Sequence, residues 1–141
     1  MKTACNHELL DQLEARTLPR ERWDHEAHLR VCHAAIERHG VSGALEALRL
    51  AIPAYNEATG TANTDTSGYH DTITCYFVGA VGAVHATGIA AILGSPDFTR
   101  EAPLRHWSRE RLFSVEARRA WCEPDRAPLP WAPLPWTHTT G

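Results

Sequence analysis

Residues 23–40, WDHEAHLRVCHAAIERHG, leave the backbone little choice, because only a helix gathers their apolar members on one face. At about 100° per residue, His25, His28, Leu29, Cys32 and Ile36 fall within roughly 100° of one another. Glu26, Arg30, His33 and Glu37 lie outside that stripe. Asp24 is a good N-cap and Gly40 a good residue to end the helix. The stripe starts with two imidazoles facing an interior, so the rest of the chain must show what shares that interior with them.

The flanking segments read as further helices. Glu8 to Arg16 predicts a short one with Leu9, Leu10 and Leu13 on one side, ended by Pro19. Ser42 can cap a third over 43–58, carrying Ala44, Leu45, Leu48, Ala51 and Ile52, which Pro53 should kink or divide. The run TGTANTDTSG (59–68) is turn chemistry without periodicity. Residues 69–86 carry a second stripe, His70, Ile73, Thr74, Phe77, Val81 and Val84, ended by Gly88, with a short turn over 89–93. Ser108 and Ser114 are both cap residues, the second opening a helix over 115–121. The end, APLPWAPLPW (127–136), repeats a five-residue unit once. Such proline density favours polyproline II, laid on the domain through Trp131 and Trp136 as a strap or left as a free tail. The expectation is an all-α, single-domain bundle of five or six helices over 1–126, followed by a Pro/Trp-rich tail, 127–141.

A chain of 141 residues with net charge −3 fits one domain and lacks the basic field of a general nucleic-acid binder. No run of eighteen apolar residues predicts a membrane span, and MKTACNHELLDQ has no apolar signal core. Cys5, Cys32, Cys75 and Cys122 form no C-x-x-C pair, which excludes zinc-ribbon and thioredoxin-like readings. A cytoplasmic protein with reduced thiols is expected.

His25 and His28, at i and i+3, share one helical turn, and His70 opens the stripe on another helix. If the stripes pack together, three imidazoles converge near helix starts, where the positive end of the dipole favours the neutral, metal-binding form. His25, His28 and His70 are therefore the expected metal ligands, with Asp71, Glu26 or His106 as a further ligand or outer partner. Such a site keeps an open coordination position, and its ligand types suit copper, iron or zinc without choosing among them. Asp71 or Tyr69 would handle protons, and His106 would be a fourth ligand or an acid/base group. Cys32 shares the histidine face, so a thiolate there is an option. His7, His33, His39 and His138 fall on polar faces or in tails and read as solvated. The metal-free alternative uses the same histidines, with nearby arginines and Tyr55, Tyr69 or Thr74, to hydrogen-bond a small molecule. A third reading makes the PLPW repeat a ligand for a partner's aromatic groove.

The blocks WDHEAHL (23–29), SGYHDTIT (67–74) and LRHWSRERLFSVEARRAWCEPD (104–125) resemble those of a family of small, mostly uncharacterised bacterial proteins. Its members share H-x-x-H-L, YH-[ED]-T-I-T and HWSRERLFS blocks, which cover about a third of the chain. The resemblance implies a shared site of His25, His28, Tyr69, His70, Thr72, Thr74, His106, Ser108 and Arg109. Asp71 departs from the glutamate usual there, which shortens the reach of any carboxylate ligand. Together these readings lead to a small metalloenzyme acting on a small-molecule substrate in the bundle core, by oxygen activation or by Lewis-acid, activated-water chemistry. Thr74 and Arg109 would contact that substrate, and a homodimer is an open option.

Overall fold

The structure, a computed structural model, describes residues 4–131. Among them are six α-helices joined by turns and short 3-10 segments, with no strand. This is the expected all-α bundle. No helix among the described residues is long and apolar enough to cross a membrane.

Helix α1 (Ala4–Ala15) buries Leu9, Leu10 and Leu13 against α2 (His25–Ala58). Asp24 starts α2 as foreseen, its Oδ1 accepting the Ala27 N–H at 2.9 Å. Two helical arms meet at Gly40, whose φ of 76° and ψ of 173° are not helical. Ring contacts pair His25 with Phe77 and His33 with His85. Val41 meets Gly82, and Arg49 meets Asp71. The first arm of α2 thus runs with α3 (Asp71–Ala83) and the second runs against it. Gly40 is the corner of a helical hairpin, where the sequence places the end of one helix and the start of the next.

Pro53 does not divide the second arm, since the dihedrals there stay helical. The missing N–H is tolerated inside a packed helix, and Asn63 Nδ2 donates to the Pro53 carbonyl at 3.0 Å. Asn63 Oδ1 also accepts from Asn56 Nδ2 and from the Tyr69 N–H, both at 3.0 Å, which pins the turn-rich loop ahead of α3. Helix α3 begins two residues later than the pattern suggests because His70 is its N-cap.

After α4 (Ile89–Leu93), the C-terminal part is built from 3-10 turns, α5 (Arg109–Leu112) and α6 (Val115–Arg119). Ser108 and Ser114 cap the last two helices as expected, accepting from Arg111 N and Ala117 N, each at 3.1 Å. Trp107 is fully buried and donates to the Cys122 carbonyl at 3.0 Å. Thr72 Oγ1 ties α3 to the same segment through Ala120 O and Cys122 N. Trp131 is buried and lies over Gly79, where a Cβ would meet its ring at 2.6 Å, so the first PLPW unit packs on the bundle as a strap. Trp136 and His138 lie outside the described residues.

Candidate functional site

Between the two arms of α2 and the start of α3 a cleft of about 350 Å³ opens to solvent. It gathers residues from two of the sequence blocks: Trp23, Asp24, His25 and His28 from the first, Tyr69, His70 and Thr74 from the second. Asn56, Thr61, Arg20 and Arg100 complete the rim and floor. These four were not foreseen, because they come from a helix end, a loop and two turns that only the hairpin brings together.

The three histidines of the cleft differ in what their nitrogens do. His70 Nδ1 accepts the Ile73 N–H at 3.2 Å, and its Nε2 donates to the Leu112 carbonyl at 2.7 Å. Both nitrogens are committed, and burial lowers the pKa, so His70 is a neutral capping residue. His25 Nε2 donates to the Phe98 carbonyl at 2.7 Å, which fixes the tautomer and leaves Nδ1 as an acceptor. His28 is half-buried between Trp23 and Phe77, with edge-on ring contacts at 5.7 and 6.0 Å. No hydrogen bond reaches it among the described residues. Burial, helped by the neighbouring His25, lowers its pKa to about 4. It is a neutral imidazole with free nitrogens at the cleft wall.

The expected ligand set does not assemble. His25, His28 and His70 do not bring three donor atoms within 4.8 Å of one another, and His70 has no lone pair to give. Asp71 is buried under Arg49, which donates to both carboxylate oxygens at 2.9 Å, while the Tyr69 hydroxyl donates to Oδ1 at 2.7 Å. Tyr69 is held as a phenol, its pKa raised by burial and by the Asp71 charge. The proton-handling pair of the sequence reading is thus a closed ion-pair network. His106 sits elsewhere, in a separate cavity of about 320 Å³ with Tyr76, Phe98 and Trp131. Arg109 stands exposed at the start of α5, away from the cleft. Thr74 does line the cleft, but its hydroxyl donates to the His70 carbonyl at 2.9 Å. Cys32 is fully buried with its pKa pushed up to about 12, so it stays a thiol.

A different group could hold a metal ion. His33, Glu37 and His85 place one ligand atom each within 4.8 Å of the others, the one such trio among the described residues. The sequence reading set His33 aside as solvated, yet it is 6% exposed. Packing of the first arm of α2 between α1 and α3 buries a second face of that helix, and the turn after α3 covers His33. The i,i+4 spacing of His33 and Glu37 was the available signal. His85 could be paired with them only in three dimensions.

Compared with models of known families, with curated proteins and with solved structures, the chain matches none.

Proposed function

We propose that the protein binds a small molecule carrying an anionic group in the cleft between the arms of α2, with His28 as its central polar contact. The observation that carries this reading is His28 itself: a neutral imidazole with no hydrogen bond, at the wall of a solvent-open cleft. A polar side chain with no protein partner that lines a cleft is a place where a ligand can attach. Trp23 offers an aromatic face beside the imidazole. Arg100 at the rim supplies positive charge, as does Arg20, which donates to Thr59 and Thr61. His25 presents Nδ1 as a second acceptor. Oxygen activation or metal-activated water in this cleft would need converging donors, and His70 spends both nitrogens on the backbone. The metal-free reading therefore has the stronger support.

The test is a thermal-shift and calorimetric screen of small carboxylates and phosphate esters, with and without an aromatic ring, against the full chain. A binder whose affinity falls at least tenfold in His28→Ala and in Arg100→Ala, with helicity retained, is the expected result. Binders unaffected by either substitution would move the site elsewhere.

A further inference from the structure

The trio at the far end of the first α2 arm lies about 12 Å along the helix from His25, and nothing in the cleft reading uses it. His33 is buried with neither ring nitrogen hydrogen-bonded, and His85 Nε2 is likewise buried without a partner. The two rings stack at 4.2 Å with an interplanar angle of 23°. His85 Nε2 stands 3.8 Å from Glu37 Oε2, too far for a hydrogen bond. Three unsatisfied nitrogens beside one carboxylate are costly unless something binds them.

Glu37 is already oriented. His7 Nε2 donates to its Oε1 at 2.8 Å, and Arg38 Nε donates to His7 Nδ1 at 3.1 Å, which fixes the His7 tautomer. This leaves Oε2 directed toward His85. An outer partner that holds a carboxylate while its second oxygen stays available is the usual support of a metal ligand. Tetrahedral zinc binds imidazole and carboxylate at roughly 2.0–2.2 Å, so its ligand atoms lie roughly 3.3–3.5 Å apart. The atoms now lie within 4.8 Å of one another, and binding would turn the stacked rings so that their lone pairs converge on the ion. Glu37 and His85 are partly exposed, so a fourth position faces solvent.

We propose that His33, Glu37 and His85 bind one divalent transition metal, zinc by ligand type, with His7 positioning Glu37. The ion bridges the first arm of α2 to the turn that follows α3. Two imidazoles, one carboxylate and an open position match a water-bearing zinc site.

The experiment uses the full untagged chain, stripped of metal and titrated with Co(II), followed by its visible d–d absorption. Zn(II) is then measured by competition against a chromogenic chelator. One ion per chain is expected, with a raised melting temperature. His85→Ala and Glu37→Gln should each weaken binding at least a hundredfold, and His7→Ala roughly tenfold. His39→Ala, on the exposed face of the same helix, and His28→Ala, in the cleft, should leave it unchanged. Circular dichroism of each variant separates loss of the site from loss of the fold, and Glu37, partly exposed, can be replaced without opening the core. Absence of stoichiometric binding overturns the proposal. So does binding of full strength in folded Glu37→Gln and His85→Ala.

Discussion

His28 and His70 face one cleft, yet their surroundings give them different work. His70 is spent on the backbone at both nitrogens. His28 is packed against Trp23 and Phe77 and keeps its nitrogens free. The cost of that placement should be visible in acid. The folded pKa of His28 is about 4 against 6.5 for the free side chain. Between those values the unfolded chain binds more protons, so the contribution is complete above pH 6.5 and is lost as pH falls toward 4. The full shift corresponds to roughly 3 kcal/mol, and solvent at the cleft mouth reduces this to about 2 kcal/mol. His33 and His70 are shifted in the same direction and steepen the same window. Urea denaturation from pH 7.5 to 4 should show the decline, with a shallower slope in His28→Asn. An equal slope in that variant would mean that His28 is already solvated or charged.

Within α2, one residue decides whether the helix is a rod or a hairpin. Gly40 sits at φ 76° and ψ 173°, a region in which side chains are strained, although a Cβ there would touch nothing within 4 Å. Gly40→Ala therefore isolates the backbone term and should cost about 1–3 kcal/mol by chemical denaturation. Both sites depend on this corner. It returns the second arm so that Ile52 and Asn56 face His28, and it leaves Glu37 at the end of the first arm near His85. A neutral Gly40→Ala result would mean that the corner is held by packing alone. At Pro53, packing does override a local breaker, because the surrounding helix is already held by its neighbours.

Across the whole molecule, the C-terminal strap closes the bundle over α3. The Trp131 ring fits only because Gly79 has no side chain, and it also meets the Tyr76 ring at 6.4 Å. Trp131→Ala should cost about 3 kcal/mol, the low end for a buried tryptophan. Gly79→Ala should have a similar effect by lifting the ring. Removal of residues 127–141 should lower the melting temperature by roughly 10 °C. A truncated chain of unchanged stability would instead make the repeat a free, partner-directed segment.

Periodicity and caps were local properties, and the sequence alone carried them. The stripes on residues 23–40 and 69–86, the caps Asp24, Ser108 and Ser114, and the break at Gly40 each follow from side-chain chemistry within a few residues. The convergence of His25, His28, His70 and Thr74 on one cleft was also legible, since stripes in a bundle must face each other. The role of each nitrogen was not, because a lone pair is assigned by whichever backbone group lies opposite: Phe98 for His25, Leu112 and Ile73 for His70, none for His28. Burial of a second face of α2 was equally invisible, because amphipathic patterning marks one interior and cannot register the neighbour that creates another. That neighbour turned His33 from a solvated residue into a buried one beside His85. The tertiary structure alone decided where histidines meet a partner, a cleft or each other.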